Sequence, residues 1–596
     1  MISNFLSNKI SPFWRVFIIL LNDIVLLNLS LYFSYYLRIE YFLPVSSIRN
    51  VAIISTIIFL FLFTIFKIHK QYFRYFNASS YKLYLKIYIV FSFLFGLYVS
   101  LQSQDFIPRS LVLIFPTFFI FLLILDRVVI AKFFQYQYKS NKKKAVVFGF
   151  NPIISDSIAP DINIICFIDD KKKNKRRIIN GIRILSTEEF IKNFFNDEID
   201  LILIENKTIF HKSRNLLRNK IINNKILVQN ISIIKNEISF SSYFDFNFFF
   251  NRKNKTSPLG DIYKNKTILI TGAGGSIGSN IVFQLQKTKF KKLILLDNSE
   301  FNLYNLSSKI KQKVNINYNL INFNNQNDVR KILTDNKVDI IFHAAAFKHV
   351  PLIETNPFSA IKNNFLDTYE FMKLISKYNV PNFCLISSDK AVRPTNIMGA
   401  SKRLSELALT YLDNLKSNKT VFCSVRFGNV INSSGSVKPL FQYQIENNLP
   451  LTLTHKKIIR YFMTIEEAAN LVLNTTKISK GGEIFLLDMG KPINLYDLAK
   501  LMIQFSGKTI KINGYGDVDI KIIGLREGEK LYEELLIDEK SLESSVKYIY
   551  QSLESKISNK NFHEIYTNIL NCYESNNIKS LKKTLKGKFI NYVSDK

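Results

Sequence analysis

The stretch Thr267-Ile-Leu-Ile-Thr-Gly-Ala-Gly-Gly-Ser-Ile-Gly-Ser-Asn-Ile-Val-Phe-Gln-Leu285 decides how this chain folds. It opens as a short β-rich apolar run and passes through a glycine-crowded turn. It then sets Ile277, Ile281, Val282 and Leu285 on one side of a helix. Strand, glycine loop and helix in that order give the glycines separate tasks. Gly272 permits the tight turn, Gly275 lets a diphosphate approach the backbone, and Gly278 lets helix and strand pack closely. Gly274, Ser276 and Ile277 complete a loop whose free amides at the helix N-terminus suit a diphosphate. The next strand, Leu293-Ile-Leu-Leu296, ends in Asp297 about twenty residues after the loop, where a carboxylate takes ribose hydroxyls and favours NAD over a 2′-phosphate. A glycine-rich surface turn is the plain alternative, and the strand, helix and acid in register argue against it.

Downstream, Ile340-Ile-Phe-His-Ala-Ala-Ala-Phe-Lys-His-Val-Pro351 reads as a strand running into small residues and a polar turn. Ala344 and Ala345 leave room for a cofactor at a strand's carboxyl end, whereas Lys348 and His349 read alone suit a solvated loop equally well. A further strand, Phe383-Cys-Leu-Ile386, ends in Ser387-Ser-Asp-Lys390. A hydroxyl, a carboxyl and an amine at one strand end can divide proton transfers between acid and base. In Met398-Gly-Ala-Ser-Lys402, the lysine lies one helical turn after position 398 on the same face. There it can hold a nicotinamide ribose and lower a neighbouring hydroxyl's pKa.

Upstream the composition changes. The chain has 596 residues, too many for one domain, and its apolar residues crowd the start. Four apolar stretches, about Phe17–Leu37, Val51–Phe66, Ile87–Leu101 and Leu111–Leu125, predict four membrane spans. Lysine and arginine gather in alternate connections (Lys9 and Arg15; Lys67, Lys70, Arg74, Lys82 and Lys86; Lys142, Lys143 and Lys144), which puts both termini in the cytoplasm. Asp23 and Asp126 fall within or beside spans, where they either mark a polar pathway or, the better expectation, pair with a neighbouring arginine. A second α/β region opens on Ala145-Val-Val-Phe-Gly149, but glycines that admit a pyrophosphate do not follow Gly149. The expected organisation is a four-helix membrane region over 1–135, a degenerate Rossmann-like domain over 141–240, a connector over 241–263 and a second Rossmann-like domain over 264–596. The net charge of +33 comes from lysines scattered end to end, with no recognition module for nucleic acid. Cys166, Cys384, Cys423 and Cys572 form no CxxC pair and propose neither disulfide nor metal. No cleavable secretory signal is expected.

The segments TGAGGSIGS, AAAFKHVPLIE, ISSDKAVRPTNIMGASKR, RFGNVINSSGSVKPLF, RYFMTIEEAANLVL and GLREGEKLYEEL follow one another from Thr271 to Leu535. Together they resemble the extended short-chain dehydrogenase/reductase superfamily, and within it the membrane-bound UDP-N-acetylglucosamine 4,6-dehydratases of polysaccharide biosynthesis. The resemblance implies that Ser388, Asp389 and Lys390 stand in the family's Thr-Asp-Lys triplet, with Lys402 the lysine of its Met-x-x-x-Lys variant. It puts Lys348, His349, Asn364, Asn429, Arg460, Arg526 and Glu529 in contact with the sugar or UDP. It implies a bound NAD or NADP, a nucleotide-sugar substrate, an inner-membrane location with the catalytic domain cytoplasmic, and a homo-oligomer. Asp389 is then an acid with a raised pKa, and Lys390 a base with a depressed one. Departures occur at Asn363, Asn432 and Ile459, and Met398 stands where the superfamily carries a tyrosine. A C4-epimerase on the same fold and a non-enzymatic nucleotide-binding scaffold are the competing readings.

Overall fold

The computed structural model describes residues 12–593, apart from 42, 69–77, 102–106, 140–141, 159–161, 172–173, 175–176, 194–198, 225, 235–236, 243, 251–253, 312–313, 512–513, 535–540 and 555. Lys9, Lys70, Arg74 and Leu535 of the sequence reading lie outside the described residues.

The apolar stretches form helices Pro12–Ile39, Val45–Ile65, Ala78–Leu101 and Leu111–Lys139, longer than hydropathy alone marks out. All four are long and apolar enough to cross a membrane. Leu27, Phe59, Phe91, Phe95, Phe115 and Phe119 form the bundle's core, while Phe93 and Leu113 face outward. One polar knot ties three helices. Arg127 pairs with the buried Asp23 and with Asp126 at 2.7 Å, and donates to the Tyr84 hydroxyl at 3.3 Å. A charge at this depth is sustained only by such partners.

Two sheets follow. The first contains β1 (Lys143–Phe148), β2 (Ile162–Ile168), β3 (Ile178–Ile179), β4 (Ile182–Leu185), β5 (Leu201–Ile204), β6 (Leu227–Ile234) and β7 (Glu237–Ser242), in the order β3-β4-β2-β1-β5-β6-β7. Its core strands are parallel and its edge strands antiparallel. At the Gly149 turn, a Cβ would lie 2.1 Å from Glu205 Oε2, so an acidic side chain fills the space where a phosphate-binding loop keeps room.

The second sheet has β8 (Thr267–Thr271), β9 (Lys292–Asp297), β10 (Ile316–Leu320), β11 (Ile340–His343), β12 (Asn382–Ile386) and β13 (Val421–Arg426), ordered β10-β9-β8-β11-β12-β13. The parallel strand Glu483–Leu487 and the antiparallel strands Ile549–Ser552 and Ser541–Glu543 extend it. The strand order reverses between β8 and β11, and a doubly wound sheet binds its ligand at that point. Apolar clusters cover both faces, as a parallel sheet requires.

The described parts of the connector expected over 241–263 are docked on their neighbours. The helix Phe246–Phe249 buries three phenylalanines, and Phe249 lies 4.0 Å from Phe505, ring to ring. Lys255 and Ser257 donate backbone N–H groups to Glu467 at 2.7 Å and Asn470 at 2.8 Å. Its aromatic content decides the difference, because exposed phenylalanines gain by packing against the neighbouring domain.

Candidate active site

A cleft of about 930 Å³ opens along the carboxyl ends of β8, β11, β12 and β13. Its floor is the glycine loop. Gly272 has φ +61°, and a Cβ there would stand 2.7 Å from the Ala345 nitrogen. A Cβ at Gly278 would stand 2.2 Å from the Gly272 oxygen, so helix and loop meet backbone to backbone. The helix Ser276–Leu285 starts at Gly275 with no side chain capping it, which leaves its amides for an anion. Asp297, Ala344 and Ala345 face an adjoining cavity of about 180 Å³. The two Asp297 oxygens accept from the backbone N–H groups of Gly274 and Ser299 at 2.8 and 2.9 Å, which locks strand end to loop. These residues fit a dinucleotide: only glycines permit the turn, the amides are free, and the carboxylate stands at the second strand's end.

At the end of β12, the Ser388 hydroxyl donates to Asp389 Oδ1 at 2.9 Å, and Lys390 Nζ lies 3.0 Å from the same oxygen. Asp389 is buried with Oδ2 lacking a hydrogen-bond partner among the described residues, lies against Gly428, and does not line the cleft, whereas Ser388 and Lys390 do. Burial pushes the Asp389 carboxyl above its ordinary range, against the pull of Lys390. Lys390 corrects the sequence expectation of a depressed amine. Burial alone would lower it, but Asp389 and Glu533 outweigh burial and hold the ammonium above the usual lysine range.

The helix Ile397–Asp413 brings Lys402 to the cleft, where its amine donates to the Ile386 oxygen at 2.8 Å. Burial pushes this lysine down to about 8. The helix reaches so close because residue 399 is glycine: a Cβ there would meet the Lys390 oxygen at 2.1 Å. Met398 lines the cleft one turn earlier.

Of the residues the resemblance assigns to substrate, Lys348, His349, Asn429, Arg460, Arg526 and Glu529 line the cleft. Burial lowers both Lys348 and His349. Asn429 accepts from Lys390 Nζ at 3.2 Å. The Arg460 fork is already engaged by Glu529 at 3.2 Å and by the Ile459 oxygen at 2.8 Å. Asn364 is a correction. It sits in a π-helical turn, Ile361–Leu366, and its amide exchanges bonds of 2.9 Å with both the nitrogen and the oxygen of Phe347. It also donates to Ser401 at 3.0 Å, so it stitches the loop after β11 to the Lys402 helix and does not face the cleft. Asn432 holds φ +65°, a conformation asparagine tolerates where the family carries glycine.

Two cleft residues escaped sequence reasoning. Ser434 donates its backbone N–H to the Ser276 hydroxyl at 3.1 Å and closes a loop over the glycine turn. Glu533 reaches Lys390 at 3.4 Å and Arg460 at 3.6 Å. It lies within the quoted GLREGEKLYEEL segment, but its partners Lys390 and Arg460 are far away in the chain, so no local spacing announces it.

The family described as "Polysaccharide biosynthesis protein" matches residues 268–554. The Staphylococcus aureus "Capsular polysaccharide biosynthesis protein CapD" is 46% identical over 279 residues, covering 46% of this chain and 45% of that protein. The chain thus spans less than half the length of that relative. The Methanocaldococcus jannaschii "Uncharacterized membrane protein MJ1061" is 43% identical over 285 residues, 47% of this chain and 83% of the relative. A "UDP-glucose 4-epimerase" of Rickettsia bellii (strain OSU 85-389) is 33% identical over 288 residues, 47% of this chain and 80% of the relative. With the glycine loop, the Ser-Asp-Lys strand end and the lysine helix in one doubly wound sheet, the chain belongs to the polysaccharide biosynthesis family, as an extended short-chain dehydrogenase/reductase with an N-terminal apolar helical region.

Proposed function

We propose that the protein is a membrane-anchored 4,6-dehydratase that converts UDP-N-acetylglucosamine to a UDP-4-keto-6-deoxy sugar for surface-glycan synthesis. One observation carries this reading: an Asp389–Lys390 pair whose carboxyl is buried and whose amine enters a cleft that also holds Ser388, Met398 and Lys402. An epimerase has no water to expel and no use for such a pair. A scaffold would be free to lose it.

A bound NAD or NADP, held by Gly272–Gly278, Asp297, Ala344, Ala345 and Lys402, would supply hydride transfer at sugar C4 and C6. The rest falls to the chain's own groups. Once C4 is a ketone, the C5 hydrogen is acidic, and Lys390 as the free amine removes it. The C4 hydroxyl proton has by then passed through the Ser388 hydroxyl, which donates to Asp389, onto that carboxylate, and Asp389 returns it by the same path to the departing 6-hydroxyl, which leaves as water. Because neighbouring carboxylates hold Lys390 as an ammonium, turnover rises with pH as that proton is lost. Lys82 and Lys86 in the first turns of the third helix, and Lys142–Lys144 after the fourth, favour a cytoplasmic catalytic domain.

The test is product mass after incubating purified full-length protein with UDP-N-acetylglucosamine and NAD. Loss of one water is expected. Asp389→Asn and Lys390→Met should each lower turnover ~100-fold while dinucleotide binding persists. An unchanged mass with altered sugar configuration would favour the epimerase reading, which the Rickettsia bellii relative's name supports.

A further inference from the structure

We propose that Glu533 is a third carboxyl of this site: one oxygen fixes the Lys390 amine, and the other accepts a hydrogen bond from a hydroxyl of the bound sugar. The inference rests on the nucleotide-sugar reading above.

Three observations converge. Glu533 lines the same cleft as Lys390 and Ser388, although its side chain is 4% exposed. Its Oε1 spans the two cations, 3.4 Å from Lys390 Nζ and 3.6 Å from Arg460 Nε. Its Oε2 is buried with no hydrogen-bond donor among the described residues. A buried carboxylate oxygen without a donor is costly, so such atoms have partners in a working site. Lys530, a further cation acting on Glu533, is engaged with the Val392 oxygen at 3.0 Å and Glu534 at 3.3 Å.

The charge of Glu533 then selects the partner. Burial would raise its pKa, but Lys390, Arg460 and Lys530 outweigh that and hold it below the ordinary range. An ionised carboxylate accepts and does not donate, so it repels a diphosphate and takes a neutral O–H. The part of the ligand that reaches Glu533 is therefore sugar. Asp389, Lys390, Arg460, Glu529 and Lys530 are the charged groups around it.

The experiment titrates full-length wild type, E533Q and E533D with UDP-N-acetylglucosamine and with UDP, and records turnover against pH. In E533Q the sugar nucleotide should bind about tenfold or more weakly, with UDP affinity within about twofold. Its rising pH limb should move to lower pH, because one of the two carboxylates that hold Lys390 protonated is gone. E533D keeps the charge at shorter reach, so the limb stays while sugar-nucleotide affinity still falls. Unchanged UDP-N-acetylglucosamine affinity in E533Q, or equal losses for both ligands, overturns the proposal. Should E533Q not fold, wild-type affinity in E533D overturns it alone. If wild type releases no water yet E533Q selectively loses the sugar nucleotide, Glu533 stands and the dehydratase reading falls.

Discussion

Replacing Lys402 by methionine should stabilise the cofactor-free protein near neutrality while weakening dinucleotide binding. Lys402 is 7% exposed, and burial moves its pKa from 10.5 to about 8, with Glu406 pulling weakly the other way. Between those two values the unfolded chain binds a proton that the folded chain does not. Stability therefore rises with pH across that window. Below pH 8 the folded protein bears the full cost of a buried ammonium, and above 10.5 it bears none. A shift of that size corresponds to about 3 kcal/mol. The difference in melting temperature between Lys402→Met and wild type cancels every other titrating group. Measured by calorimetry on cofactor-stripped protein in detergent, it should favour the variant at pH 7 and shrink steadily toward pH 10. At about 2 °C or more per kcal/mol, the change is several degrees. Dinucleotide affinity should move in the opposite direction, since a buried amine retained at a cost to stability is kept for function. A melting difference that is independent of pH, or grows with it, would refute the reasoning.

Two further substitutions probe how the site is held. Gly399→Ala puts a methyl group 2.1 Å from the Lys390 oxygen, so the turn carrying Lys390 must move; turnover should fall about tenfold or more with UDP affinity retained, as steady-state kinetics and titration will read. Glu554→Gln strips Arg426, which is fully buried, and Arg403 of a shared carboxylate, leaving Glu406 as their partner. Breaking a buried pair costs about 3–5 kcal/mol, so the melting temperature should drop sharply, and unchanged melting would show the network to be dispensable.

The Arg426 network also shows how distance along the chain limits reading from sequence. Glu406 accepts from the Ser387 hydroxyl at 2.6 Å and from Arg426, so the end of β12 next to Ser388 is braced from β13 and from the C-terminal segment through Glu554. Nothing near Ser387 in the sequence announces either partner. His343 is similar: held between Thr271 at 2.8 Å and Thr368 at 3.2 Å and pushed down to about 3 by burial, it is a neutral strut that sequence alone leaves unremarked.

What the sequence determined by itself is what local periodicity and backbone sterics govern. Apolar runs define the four long helices, and alternating strands and helices define two sheets with parallel cores. A glycine turn followed by a helix and an acid defines a dinucleotide loop, because only glycine reaches φ +61° at Gly272 without penalty. The spacing of Met398 and Lys402 on one helix face was legible for the same reason. Tertiary structure alone decided the electrostatics and the contacts between distant segments. It turned Asn364 inward, withdrew Asp389 from the cleft wall, and brought Glu533 to Lys390. It also set the protonation of Lys390, since an ammonium's pKa depends on burial and on carboxylates a few ångströms away, and such distances are fixed by packing and not by position along the chain.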